Sequence, residues 1–188
     1  MTTTMKNKCG LVLGVANERS IAWGIAKVLA ESGADIALSY QNENLFKRVS
    51  PLAEKINSKI CELADVQEEK SLDFLYDKIK KEWGKLDFLV HALAYSDKEE
   101  LKGRYFETTR NNFAKTMDIS CYSFTAVCQR AVPLMKEGGS IITLTYYGAE
   151  KVIPHYNVMG VAKSALETSV KYLAADLGKK GYRVNAIS

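Results

Sequence analysis

The chain has 188 residues, 47% of them hydrophobic and 26% charged, which fits one domain over residues 1–188 with a sizeable core. Its formal charge of +4 is mild, and basic residues such as Lys47, Arg48, Lys80 and Lys81 sit among acids, so no nucleic-acid partner is expected. Three prolines, no repeat, and no apolar run long enough to cross a bilayer argue against linkers, solenoids and membrane insertion.

The opening MTTTMKNK is short and polar and leads into a single apolar strand, unlike a signal peptide with its longer core. Together with four scattered cysteines (Cys9, Cys61, Cys121, Cys128) that make no CxxC and no metal-ligand spacing, this reads as a cytoplasmic protein with buried thiols and no metal site.

Cys9–Leu13 reads as a first strand ending at Gly14, followed by an irregular turn. Apolar positions Ile21, Ile25, Val28 and Leu29 predict a helix that stops at Gly33. Asp35–Tyr40 is the second strand, followed by a polar helix from about 44 to 57. Lys59–Leu63 is the third strand, with Asp65 just beyond it. A helix over about 68–83 ends at Gly84, and Leu86–Val90 supplies a fourth strand. One long helical region is expected over about 110–136, then a break at Gly138 and Gly139, then the strand Ser140–Leu144. A last long helix is expected from about Tyr156 to Leu177, stopped by Gly178, before a sixth strand at Arg183–Ile187. Strands separated by helices of this length require crossovers and a parallel sheet covered on both faces. The architecture is therefore a doubly wound α/β fold of the Rossmann type. Ligands are expected beyond the carboxyl ends of its strands, where Gly14, Tyr40, Asp65, Ala92 to Tyr95, and Tyr146 all fall.

The first strand and helix enclose Gly14-Val-Ala-Asn-Glu-Arg-Ser20-Ile21-Ala-Trp-Gly24, where dinucleotide folds hold pyrophosphate at a helix N-terminus. The segment is not GxGxxG. Gly14 suits a tight turn, Ser20 suits a helix cap with a hydroxyl for phosphate, and Gly24 suits close packing. A ligand-free turn and cap would use the same residues. After the second strand, the neutral Gln41 stands where an acid would bind the adenine ribose, and no basic residue follows at once. That favours NADH over NADPH, the alternative for Gln41 being a solvated loop residue.

Tyr156 and Lys163 are seven residues apart, about two turns of a helix, and would project from one face. An ammonium beside a phenol favours the phenolate and makes the hydroxyl a better proton donor. Such a spacing also arises by chance in exposed helices. Its position after the fifth strand, on the binding rim, gives it weight. His91 and His155 read as structural, and Met159 as a pocket wall or simple core packing.

On these residues the sequence resembles the short-chain dehydrogenase/reductase superfamily, and within it the bacterial NADH-dependent enoyl-[acyl-carrier-protein] reductases of type II fatty acid synthesis. The matching stretches are Gly14-Val-Ala with Ser20-Ile-Ala-x-Gly24, Ser39 to Asn42, Asp65-Val66, and Val90 to Ala92. Asp118 to Phe124, Leu144 to Glu150, Tyr156 to Lys163, and Arg183 to Ser188 complete them. Tyr146-x9-Tyr156-x6-Lys163 is the specific part, because ordinary superfamily members carry a serine near the first tyrosine.

The resemblance implies roles residue by residue. Gly14, Ser20 and Ile21 would lie along the pyrophosphate, Gln41 near the adenosine ribose, and Asp65 and Val66 beside the adenine. Leu93 would touch the cofactor, and Ser96 would face the substrate. Tyr156 would bond the thioester carbonyl, Lys163 would hold the nicotinamide ribose, and Tyr146 would line the acyl pocket and assist catalysis, with Met159 nearby. It further implies NADH as cofactor, an acyl carrier protein bearing an enoyl thioester as partner, and a homotetramer built through the two long helices. The resemblance implies that the family continues past the position of Ser188, the last residue of this sequence, with a glycine–proline loop, a lid helix and a last strand, as part of a longer protein. The fourth strand ends Ala92-Leu93-Ala94-Tyr95 without the family's glycine, a change expected to shape the acyl pocket. The alternatives are another short-chain reductase acting on a carbonyl, and an NAD-binding scaffold without turnover.

Overall fold

The computed structural model describes residues 4–188. Six strands form one parallel sheet: β1 (Cys9–Leu13), β2 (Asp35–Tyr40), β3 (Ile60–Leu63), β4 (Phe88–His91), β5 (Gly139–Leu144) and β6 (Tyr182–Ile187), in the order β3-β2-β1-β4-β5-β6. β1 and β4 are buried along their whole length, as central strands covered on both faces must be, which is why they read as unbroken apolar runs. Helices α1 (Ile21–Glu31) and α2 (Glu43–Lys55) cover one face around Trp23, Ile36, Leu38 and Val49. Helices α3 (Glu69–Trp83), α6 (Ser123–Ala131) and α7 (Val158–Gly178) cover the other around Leu75, Ile79, Phe124 and Leu166. The chain first winds outward from β1 to β3. It then returns to β4 on the other side of β1, with Gly10 opposite Phe88, so the switch in direction opens a crevice above β1 and β4.

Helix ends follow local chemistry. Asn42 caps α2 by accepting from the Leu45 N–H at 3.1 Å, and Thr109 caps α5 (Arg110–Met117) by accepting from the Asn112 N–H. Three elements differ from the sequence expectation. The run expected over 110–136 is α5, a π turn at Asp118–Tyr122, and α6, closing in a short 3-10 turn at Val132–Leu134. Pro133 has no N–H to continue the helix, and the Ser123 hydroxyl donates to the Ile119 carbonyl at 2.6 Å within the π turn. A short helix α4 (Lys98–Lys102), capped by Asp97, was not expected at all. The last helix begins at Val158 and includes Gly178, so Tyr156 lies in the turn before it rather than on it.

Candidate functional site

A cavity of about 440 Å³ opens over the carboxyl ends of β1 to β4. Gly14, Gln41, Asp65, Val66 and Leu93 line it, together with Ala92, Tyr95, Lys115 and Ile119. Gly14 has φ +100°, and a Cβ there would stand 2.1 Å from the Ala92 carbonyl oxygen, so only glycine lets the backbone turn under the cavity floor. Ser20 occupies the N-cap position of α1 but does not cap it through its side chain. Its hydroxyl oxygen accepts instead from the Ala16 and Asn17 N–H groups at 3.0 and 3.1 Å. This folds the loop back and leaves both the hydroxyl proton and the opening N–H groups of α1 to meet an anion. At the far end, the Gln41 side-chain amide donates to Asp65 at 3.0 Å, and Asp65 also accepts from the Gln67 N–H. The Gln41 amide oxygen is thereby turned into an acceptor suited to sugar hydroxyls.

Lys163 is buried in α7, and its Nζ donates to the Leu144 carbonyl at 2.7 Å. Leu144 follows Thr143, the register partner of His91, so the ammonium is held at the carboxyl end of β5. Burial pushes Lys163 down to about 8. Tyr156 is half-buried with its ring edge-on to Tyr146, centroids 4.9 Å apart. Burial, and then Tyr146, push its phenol up to about 12. The expected lowering of Tyr156 by the Lys163 ammonium is therefore not what the fold does: Lys163 is engaged with a backbone carbonyl, and Tyr156 is kept as a neutral hydroxyl donor. The Tyr156 ring rests on Gly148, where a Cβ would lie 2.4 Å from the ring.

Beneath the site His91 is completely buried. Its Nδ1 is 2.9 Å from the Thr143 hydroxyl and its Nε2 is 2.8 Å from the Ser123 hydroxyl. Since Ser123 gives its own proton to Ile119, Nε2 is the protonated nitrogen and donates to Ser123. Burial, reinforced by the Lys163 charge, holds His91 down to about 3. It is a neutral strut between β4, β5 and the π turn.

A family model described as Enoyl-(Acyl carrier protein) reductase matches residues 14–188. The chain is 61% identical to an enoyl-[acyl-carrier-protein] reductase [NADH] of Rhizobium meliloti over 184 residues, 98% of this chain and 68% of that protein. The chain belongs to the enoyl-(acyl carrier protein) reductase family. An enoyl reductase of Anaplasma phagocytophilum, solved in complex with NAD, superposes with a TM-score of 0.97 at 57% identity, covering all of this chain and 72% of that one. The Aquifex aeolicus enoyl-[acyl-carrier-protein] reductase (NADH) gives 0.96 at 48% identity over 98% of this chain and 73% of that one.

The reductase fold gathers Gly14, Gln41, Asp65, Val66 and Leu93 on one cavity wall. Ser20 and Ile21 are outside that lining, at the start of α1, with the Ile21 side chain largely exposed. Tyr156 lines a separate cavity of about 320 Å³ with Tyr105, Gly148 and Ile153. Tyr146 stands at the rim, about half exposed. Two expectations shift. The Ser96 hydroxyl is engaged by Thr116 at 2.9 Å and by the Asn112 amide at 3.2 Å rather than turned into the cavity, and Met159 is buried, lining neither cavity. Lys115 and Asn157 were not singled out from the sequence. Lys115 lines the larger cavity and lies 4.6 Å over the Tyr95 ring. An exposed lysine in a polar helix carries no signal in the sequence. Asn157 directly follows Tyr156, and that adjacency was the signal available.

Proposed function

We propose that this chain reduces the trans-2 double bond of enoyl thioesters carried on acyl carrier protein, using NADH, in fatty acid elongation. The observation that carries the reading is a neutral phenol, Tyr156, held edge-on to Tyr146, with the buried Lys163 ammonium on the helix that follows it and a separate glycine-floored cavity of about 440 Å³ at the strand ends. The residues present suit a dinucleotide: Gly14 lets the backbone approach, Ser20 and the first turn of α1 offer donors to pyrophosphate, and Gln41 with Asp65 offers groups to the adenosine. Gln41 is followed by Asn42, Glu43 and Asn44, none of them a basic residue to meet a 2′-phosphate. When bound, NADH supplies the hydride that attacks the β-carbon of the thioester.

Negative charge then gathers on the thioester carbonyl oxygen. Tyr156 donates a hydrogen bond to that oxygen, which stabilises the enolate where it develops. Its raised pKa keeps the proton in place for this role. Lys163, whose Nζ donates to the Leu144 carbonyl, would hold the nicotinamide ribose hydroxyls and fix the cofactor. Tyr146 packs on the Tyr156 ring, limits its rotation and borders the acyl chain. Ser96 and Met159 shape the acyl pocket from behind, through Asn112 and Thr116 in the case of Ser96. The carrier protein docks at this rim. Family likeness favours a homotetramer through the two long helices, and the reaction belongs in the cytoplasm with the acyl carrier.

Crotonyl thioester incubated with protein and NADH tests the reading: oxidation at 340 nm is expected with the enoyl substrate and not with simple ketones. Absence of NADH oxidation with enoyl thioesters sinks it. Tyr156→Phe, expected to bind NADH normally and lose turnover, separates the enzyme from a nucleotide-binding scaffold.

A further inference from the structure

Tyr156 sits between two residues in an unfavourable backbone region. His155 has φ 60° and Asn157 has φ 43°, values that crowd any residue with a Cβ and persist only where the surroundings enforce them. The enforcing contact is visible. The Asn157 side-chain amide nitrogen points at three carbonyls, those of Gly103 at 2.8 Å, Leu101 at 3.2 Å and Glu100 at 3.3 Å. These belong to the end of α4, whose last carbonyls have no helical partner. On its other side, the segment around α4 is held by the Asp97 N–H donating to Asn112 and by Thr109 donating to Glu100. Tyr105 of that segment lines the same cavity as Tyr156 and Asn157.

We propose that Asn157 is a positioning residue whose side-chain amide locks the turn carrying Tyr156 to the carbonyl end of α4, setting both the phenol and the Tyr105 wall of their shared cavity. The inference rests on Tyr156 acting on the substrate oxygen. The position asks for two properties at once: tolerance of positive φ, and N–H donors aimed at carbonyl oxygens. Asparagine has both. Glycine has the first alone. Aspartate matches the shape but sets a carboxylate against three carbonyl oxygens.

The test uses Asn157→Gly and Asn157→Asp in the full protein, with two readouts. The first is backbone amide exchange across residues 98–108, expected to quicken in both variants while β1 and β4 keep wild-type protection. The second is turnover of crotonyl thioester. Here kcat is expected to fall about tenfold or more in both variants, with KM for NADH within about twofold of wild type. Asn157→Gly relieves the backbone strain, so it is expected to remain folded. Wild-type kcat in that variant overturns the proposal, because the turn would then need only a residue at ease with positive φ. Unchanged exchange over 98–108 in both variants overturns it too. A wild-type protein that oxidises no NADH counts against the reading of Tyr156 instead, and the exchange comparison still decides whether the clamp exists.

Discussion

Burial acts on the two rim residues in opposite directions, pushing the Tyr156 phenol up to about 12 and the Lys163 ammonium down to about 8. Tyr156 therefore keeps its proton through the neutral range, and its ionisation is expected to leave kcat untouched below about pH 11. Lys163 is charged below about pH 8 and loses its charge above it. NADH affinity is accordingly expected to weaken as pH rises through 8, a dependence that titration of Lys163→Gln should lack. Stability gives a second handle. An unfolded lysine holds its proton to about 10.5 and the folded one only to about 8, so between these values the unfolded chain binds more protons and stability rises with pH. At pH 7 the buried ammonium thus costs up to about 3 kcal/mol. Lys163→Met is expected to melt no lower than wild type at pH 7 in a thermal scan while losing NADH binding. A lower melting temperature would mean the bond to Leu144 outweighs the burial cost. The seven-residue spacing made the pair legible but misplaced the tyrosine. Spacing says which residues share a face once a helix is running, and nothing about a helix that starts at Val158.

At the scale of elements, two glycines divide the labour of the site. Gly14→Ala would drive a Cβ into the Ala92 carbonyl, and is expected to raise KM for NADH strongly, by about tenfold or more. Gly148→Ala would drive a Cβ into the Tyr156 ring, and is expected to lower kcat by about tenfold or more with KM for NADH little changed. Steady-state kinetics of the two variants decides it, and equal effects on both constants would argue against separate roles. The order of strands and helices was readable because each strand is an apolar run bounded by a turn, and each helix carries a 3.6-residue period. The π turn at Asp118–Tyr122 was not. Its cause lies in contacts from other elements: His91 bonding Ser123 at 2.8 Å, and the Tyr95 backbone exchanging hydrogen bonds with Ser120. Helix α4 escaped notice for a related reason, since five residues are too few to show a period.

For the molecule as a whole, the thiols Cys9, Cys121 and Cys128 are buried as expected, whereas Cys61 is only partly buried. Burial pushes Cys9 and Cys61 up to about 11 and Cys128 up to about 12, so at pH 7 their thiolate fraction is negligible. A thiol reagent at pH 7 is expected to modify these three slowly in the folded protein and all four promptly in urea. Fast native labelling of Cys9 or Cys128, followed by peptide mapping, would contradict the burial described. His91 has a wider reach than its place under the rim suggests. It stays unprotonated in the fold down to about pH 3, whereas an unfolded histidine takes up a proton near 6.5. As pH falls through that window the unfolded chain gains a proton the folded chain refuses, and stability is lost. Asp87, lowered from 3.8 to about 2 by its hydrogen bonds from the Cys9 N–H, Lys85 and Lys8 against the opposing effect of burial, begins to matter only below about pH 4. The acid limit of this reductase is therefore expected to be met first at one imidazole set in the sheet beneath the site, and His91→Gln should keep its melting temperature from pH 6 to 4 better than wild type does.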